Sequence, residues 1–80
     1  MTEGVKDSTR VLRMRHVTAQ LGISRSAVYD WMDPNSPRYD STFPKPIRLG
    51  KASIGWLLVD IEEFIATRIA WRDSQVSGEL

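Results

Sequence analysis

Three side chains in the second quarter of the chain are spaced for hydrogen bonding on one surface: Arg25, Ser26 and Tyr29. An arginine can donate paired hydrogen bonds to a guanine edge or to a phosphate. Arg25 falls in the first turn of a predicted helix, where the helix dipole gives a cation no local benefit, so we expect it to contact nucleic acid. Ser26 and Tyr29 share its arc, although Ser26 could equally occupy a helix start and Tyr29 could pack against the hairpin or the following loop.

A second set of cations lies on segments that cannot be helical: Lys45, Arg48 and Lys51. Lys45 stands between two prolines, so its position is stiff and contact with a nucleic-acid backbone is favoured. Arg48 alternates with Ile47 and Leu49 and therefore points outward. For Arg48 and for Lys51, at a predicted hairpin tip, phosphate contact and a plain solvated surface both remain open.

Arg25, Ser26 and Tyr29 can act together only on a helix that lies at the surface. The spacing of the apolar residues around them predicts such a helix. Apolar residues recur where two short helices must close over a sharp turn: Val17, Leu21, Ile23, Val28 and Trp31. Gly22 suits a left-handed helix end, and Ser24 suits an N-cap. Ile23 and Val28 have the spacing of a hydrophobic staple. Gly22–Met32 is therefore predicted to be the turn and second helix of a helix-turn-helix.

The ends of these elements follow from local signals. We expect a short strand at Val11–Met14, a first helix at about Arg15–Leu21 and a second helix at about Arg25–Met32. The second helix should stop before Pro34, because the residue preceding a proline avoids helical backbone.

The next segment is predicted to form a loop, an extended stretch and a hairpin. Residues 33–42 are rich in turn formers, and Phe43–Pro46 must be extended because it contains two prolines. Two alternating runs, Ile47–Leu49 and Ala52–Leu57, flank Gly50-Lys51. This pattern predicts a β-hairpin with a type II′-like turn.

A final helix is predicted to begin with Asp60 as its cap and Glu63 as the capping partner. Its inner stripe contains Ile61, Phe64, Ile65 and Arg68, with Trp71 close to Phe64. We expect the helix to end after Asp73.

Helix, turn, helix, hairpin and helix in this order predict a mainly α fold class with a small β-hairpin, a winged helix-turn-helix. We expect a disordered tail at residues 1–9, the winged domain at residues 10–73 and a flexible tail at residues 74–80.

The composition narrows the class of protein. The 80 residues include no cysteine and one histidine, so we expect no disulfide, no metal site and no cofactor. The core must depend on large residues, namely Trp31, Phe43, Trp56, Phe64 and Trp71. Apolar runs fall short of the roughly 20 residues that span a bilayer, and no signal peptide is evident. We therefore expect a soluble, cytoplasmic protein.

The net charge of +1 conceals an uneven distribution. Residues 10–51 contain eight cations and three anions, whereas residues 52–80 contain two cations and five anions. Such a distribution suits a molecule that presents one basic face to a polyanion, although an ordinary solvated surface would explain it equally well. If the partner is a nucleic acid, Arg13, Arg15 and Arg38 are expected to contact phosphates.

The sequence resembles the AlpA family of phage-encoded regulators, which are related to MerR-type winged helices and to small excisionases. The resemblance extends over Leu12–Arg72 and is carried by RSAVYDWM, FPKPIRLG, GWL and the acidic-apolar terminal helix. Its most specific part is the FPKPIRLG block, Phe43–Gly50, followed six residues later by Trp56. Family members are DNA-binding transcriptional regulators of prophage genes, and some promote excision.

The resemblance implies particular DNA-facing residues. On the recognition helix they are Ser24, Arg25, Ser26 and Tyr29, and on the wing they are Arg48, Lys51 and Ser53. His16 replaces a residue that is commonly acidic, which is compatible with affinity for phosphate. Val59 replaces a frequent serine cap, so the last helix is expected to start one residue later.

The leading hypothesis is a sequence-specific double-stranded DNA-binding transcriptional regulator of prophage genes. Its recognition helix would enter the major groove, and its wing would touch the adjacent backbone or minor groove. One alternative is an excisionase-type factor that bends attachment-site DNA for an integrase, and another is a protein-interaction module. An enzyme is the weakest hypothesis, since the carboxylate pairs Asp30/Asp33 and Glu62/Glu63 have no further catalytic group beside them.

The expected partners follow from this hypothesis. We expect double-stranded DNA, with phage integrase or the transcription machinery as protein partners, no membrane, and a bacterial location on the nucleoid. A single module of this size buries about 600–1,000 Å² on DNA, so dimers or cooperative binding to repeated sites are expected.

Overall fold

Three helices and three short strands make up the described part of this computed structural model, which covers the backbone of residues 9–79 and the side chains of residues 9–74. In chain order the elements are β1 (Val11–Leu12), α1 (Met14–Leu21), α2 (Arg25–Met32), β2 (Ile47–Arg48), β3 (Ile54–Leu57) and α3 (Leu58–Glu79). The fold class of a mainly α, winged helix-turn-helix domain is confirmed. The predicted tail at residues 1–9 lies outside the described residues except for Thr9.

The helix-turn-helix forms as its local signals predict. Gly22 adopts left-handed backbone at φ +68°, and its N–H donates to the carbonyl of Thr18 at 2.8 Å, which closes the end of α1. The Ser24 hydroxyl oxygen accepts from the Ala27 N–H at 3.1 Å and caps α2. The bounds of α2 are those predicted, and α1 begins one residue early, at Met14.

The strands form one antiparallel sheet in the order β1-β3-β2. Val11 pairs with Leu57, and Ile47 pairs with Gly55. We call residues 47–57 the wing: β2, β3 and the five-residue loop 49–53 that joins them.

The prediction of a two-residue type II′ turn at Gly50-Lys51 is wrong. That turn needs a positive φ at its first central residue, and among the described residues Gly22 is the glycine that has one. The loop closes instead through the Leu49 N–H, which donates to the carbonyl of Ser53 at 2.8 Å. As a result β3 begins at Ile54, two residues later than the alternating pattern suggested.

The core is built around aromatic rings. Phe43 lies at its centre, with ring centroids 5.3 Å from Phe64, 5.5 Å from Trp31 and 6.4 Å from Trp56, each near an edge-to-face angle. The fully enclosed indole of Trp56 also donates from Nε1 to the carbonyl of Pro44 at 3.2 Å. This bond attaches the extended segment before β2 to the same core.

Trp71 is not part of that core, so its predicted burial is wrong. The side chain is 56% exposed, because the residues that pack against α3 do not extend as far along the helix as Trp71. The guanidinium of Arg68 lies 5.3 Å from the Trp71 ring and 4.8 Å from the Phe64 ring. The Arg68 guanidinium therefore covers the edge of the core between these two rings.

Both ends of α3 differ from the prediction. The helix begins at Leu58, directly after β3, and the Leu58 N–H donates to the carbonyl of Arg10 at 2.7 Å. Asp60 therefore lies in the first turn and is not the cap, and the expected late start is also wrong. The backbone stays helical to Glu79, beyond the predicted end at Asp73, since no proline interrupts it. The flexibility of residues 74–80 stays a prediction.

The loop between α2 and β2 is attached to α3 through Asp40. Its carboxylate accepts from the Thr42 hydroxyl and N–H and pairs with the Arg68 guanidinium. Partial burial raises the pKa of Asp40, but the bonds from Thr42 and the charge of Arg68 outweigh it and hold the pKa below its ordinary value. The loop backbone is fixed as well, since the Asp40 N–H donates to the carbonyl of Trp31 at 2.9 Å.

No helix among the described residues combines the length and the apolar character that crossing a bilayer requires.

Candidate nucleic-acid interface

A groove of about 480 Å³ lies between the helix-turn-helix and the wing. We call it the basic groove, and the residues that line it are Arg13, Met14, Arg15, Arg25, Tyr29, Ala52 and Ile54. Three of these seven residues are arginines, and none of the described lining residues is acidic. The groove is therefore a region of positive potential, suited to a polyanion.

On the α2 side of the groove, Arg25 and Tyr29 stand one helical turn apart. The Arg25 guanidinium carbon lies 5.9 Å from the centroid of the Tyr29 ring, and the tyrosine is 45% exposed. Both side chains can reach a ligand without first breaking a buried contact. Ser26 is also exposed, next to Arg25 in the first turn of α2.

Ser24 combines a structural and a binding capacity. Its hydroxyl oxygen accepts the capping bond from Ala27, which leaves the hydroxyl hydrogen able to donate to a phosphate. The start of α2 also carries free backbone N–H groups and the positive end of the helix dipole. An anion is favoured at this position on both counts.

The wing presents its predicted residues in different ways. The Arg48 guanidinium donates to the carbonyl of Lys51 at 3.1 Å and so braces the wing loop. Lys51 is exposed in that loop. Ser53 is half-buried, and its carbonyl accepts from both Leu49 and Gly50. Lys51 is therefore the wing cation best placed to reach a phosphate.

Two predicted cations lie away from the basic groove. Lys45 lines a separate concavity of about 350 Å³ beside the end of α2, together with Trp31 and Tyr39. Arg38 pairs with Asp30 at 3.5 Å in the loop after α2. Of the predicted site residues, the structure brings Arg15, Arg25 and Tyr29 together in the groove and leaves Lys45 outside it.

Sequence reasoning missed two contacts at the start of α1. The Nδ1 atom of His16 accepts from the Arg13 N–H at 3.2 Å, as the third residue of a helix does in a capping box. The spacing of these two residues was the available signal. The Nε–H of Arg13 donates to the carbonyl of Ile54 at 3.1 Å, across 41 positions of sequence, and nothing local indicates that bond.

The groove offers binding groups and no catalytic set. Its polar side chains are guanidinium and phenol donors, and none of the seven lining residues is a carboxylate, histidine, serine, threonine or cysteine. Among the described residues, no three acidic or histidine side chains lie close enough together to hold a metal ion.

Comparison with known proteins relates this arrangement to one family. The chain is 43% identical over 63 residues to the DNA-binding transcriptional activator AlpA of Escherichia coli (strain K12), covering 79% of this chain and 90% of that protein. No solved structure matches the chain. Residues 10–69 match the family described as "Prophage CP4-57 regulatory protein (AlpA)", a span that contains α1, α2 and the wing. The chain therefore belongs to the AlpA family of prophage regulatory proteins.

Proposed function

We propose that this chain is a transcriptional regulator that binds double-stranded DNA in the basic groove. The first turn of α2 enters the major groove, and the wing tip lies on the adjacent backbone or minor groove. The observation that carries the proposal is the convergence of Arg15, Arg25 and Tyr29 on one groove without a carboxylate. Family membership and the name of the E. coli relative support it.

Residues in the basic groove and beside it divide into two main roles. Arg25 and Ser26, in the first turn of α2, read base edges. Arg15, the Ser24 hydroxyl and Lys51 bind phosphates on either side and so set the position of the helix. Tyr29, whose ring lies beside the Arg25 guanidinium, presents its phenol to the same DNA.

The carboxylates of one pair considered in the sequence, Asp30 and Asp33, make local contacts. The Asp30 carboxylate, on α2, pairs with Arg38, and the Asp33 carboxylate, just after α2, accepts from the Asn35 N–H at 2.9 Å. Neither lines the basic groove.

One copy presents a small interface, so we propose that occupancy depends on dimers or on cooperative binding to repeated sites. As a transcriptional regulator, the protein would meet the transcription machinery on DNA. DNA bending in a gel phasing assay would instead indicate work beside a phage integrase.

Affinity and specificity measurements test the proposal. A preferred site is first selected from a random duplex library, and variants are then titrated against that site and an unrelated duplex. Arg25→Ala is expected to lose about 1–3 kcal/mol of binding on the preferred site and little on the other. Lys51→Ala should weaken both duplexes alike and reduce the salt dependence by about one counterion.

Arg72→Ala provides the matched control. Arg72 is exposed, pairs with Asp73 at 2.8 Å and lies outside the groove. Equal losses for the Arg25 and Arg72 variants would contradict the proposal. So would amide shifts that spare residues 24–29 and 48–53 when the labelled protein is titrated with duplex at low salt.

A further inference from the structure

Arg13 joins the two sides of the basic groove. Its backbone is fixed at the start of α1, because its carbonyl accepts from the N–H of His16 at 2.9 Å and from that of Val17 at 3.0 Å. Its side chain crosses to the wing, where Nε–H donates to the carbonyl of Ile54. Ile54 is the first residue of β3 and follows the wing loop directly.

The hydrogen-bond pattern of the sheet explains why this carbonyl has no backbone donor from a neighbouring strand. Carbonyls of successive strand residues point to opposite edges, and the carbonyl of Ser53 faces β2, where it accepts from Leu49. The next carbonyl, that of Ile54, therefore faces the β1 side. β1 ends at Leu12, before it could supply a backbone donor there, because the chain turns into α1. The Arg13 side chain supplies that donor.

The position of this bond matters for the groove. Arg13 and Ile54 both line it, together with Arg25 on α2 and Ala52 in the wing loop. The wing is also connected to the beginning of the helix-turn-helix by the pairing of β1 with β3 and by core packing. The Arg13–Ile54 bond is the connection between residues that line the groove.

We propose that Arg13 is a positioning residue for DNA binding: its Nε–H holds the base of the wing loop at the start of α1 and so sets the width of the basic groove. This inference rests on the proposed function. It assigns to Arg13 a role through the wing in place of the phosphate contact expected from the sequence.

Two substitutions separate the donor from the charge. Arg13→Gln keeps an N–H at the same distance along the side chain as Nε and removes the charge. Arg13→Lys keeps the charge, places a methylene group at that position and moves the nearest N–H one bond further out. Arg10→Gln and Arg10→Lys are the controls, since Arg10 is exposed and lies outside the groove.

The wing is measured first in the free protein. Arg13→Lys should shift the amide resonances of residues 49–54 and speed their hydrogen exchange about fivefold, as expected for the loss of one hydrogen bond. Arg13→Gln and the Arg10 variants should leave both unchanged. An unperturbed wing in Arg13→Lys would overturn the inference.

DNA affinity is measured next, on the selected site. Arg13→Lys should bind about fivefold more weakly than Arg10→Lys, whereas Arg13→Gln should lose no more than Arg10→Gln. The reverse order would overturn the inference in favour of phosphate contact. If the wild-type protein fails to bind any duplex, the proposed function fails, while the free-protein measurements still decide whether Arg13 orders the wing.

Discussion

The two sides of the basic groove are folded by different kinds of contact. The helix-turn-helix side closes through bonds between neighbours in sequence, such as Gly22 to Thr18 and Ala27 to Ser24. The wing side depends on distant pairs, with Val11 against Leu57 and Arg13 against Ile54. Local contacts form wherever the local sequence allows them, whereas the wing can be placed only when the whole core is assembled.

The most severe test of this contrast is the loss of Trp56, which attaches β3 to the core. Trp56→Ala should lower the free energy of unfolding by about 3–5 kcal/mol, because it removes a fully buried indole that packs against Phe43. Urea unfolding followed by circular dichroism measures the loss. If the alanine variant fails to fold, Trp56→Phe should still fold and lose less, since it keeps a ring but not the bond to Pro44.

Trp71→Ala provides the control for that measurement. The exposed Trp71 ring contacts the Arg68 guanidinium, so its removal should change the free energy of unfolding by about 0.5 kcal/mol or less. Comparable losses for the two tryptophans would contradict the core described above.

The second test concerns two glycines of the wing. A Cβ at Gly55 would lie 2.6 Å from Val11 Cγ1 and 3.0 Å from the carbonyl oxygen of Leu12, so Gly55→Ala must push β1 away from β3. We expect a loss of about 1–3 kcal/mol in the free energy of unfolding. Gly50→Ala meets no atom within 4 Å and should leave it nearly unchanged. Equal thermal shifts of the two variants would show that β1 does not constrain the wing.

The third test addresses the locally folded side. Ser24→Ala removes the cap of α2 and should lower the free energy of unfolding by about 1 kcal/mol. Ser26→Ala, two residues along, removes a hydroxyl with no capping bond and serves as the stability control. In the Ser24 variant, hydrogen exchange should increase at the start of α2 and stay unchanged in the wing. An equal increase in both regions would remove the distinction between them.

The smallest expected effect is the acid dependence of the loop that precedes the wing. The pKa of Asp40 is held below its ordinary value of 3.8, so its ionised form stabilises the fold. This contribution is complete above that ordinary value and is lost as the pH falls through the lower folded pKa. In urea unfolding, wild type should therefore have a slightly larger free energy of unfolding than Asp40→Asn at pH 6. This difference should disappear as the pH falls towards 2. A difference that grows with acid would contradict the assignment.

Much of the groove could be predicted from sequence on the α2 side. A cap, a helix end and a staple each involve residues within five positions of one another, so the bounds of α2 and the exposure of Arg25 and Tyr29 followed from local rules. The order of elements, including the wing, followed from the same local patterns, and family resemblance added the set of DNA-facing residues.

The two errors in α3 share one physical cause. The burial of Trp71 depends on where the residues that pack against α3 end, and the start of α3 depends on Arg10, just before β1, supplying an acceptor for Leu58. Each requires the position of a partner outside the local pattern. The error at Gly50 is local, because the loop is closed by Leu49 and Ser53 and is longer than the two-residue turn that was predicted.

The sequence by itself therefore determined the fold class, the helix-turn-helix and the residues of α2 that face outward, because caps and periodicity act within a few residues. The tertiary structure alone decided that Arg15, Arg25 and Tyr29 share a groove with the wing, that Lys45 does not, and that Arg13 reaches Ile54. These outcomes depend on the relative placement of α1, α2 and β3. That placement is set by packing around Phe43 and Trp56, between residues far apart in the chain.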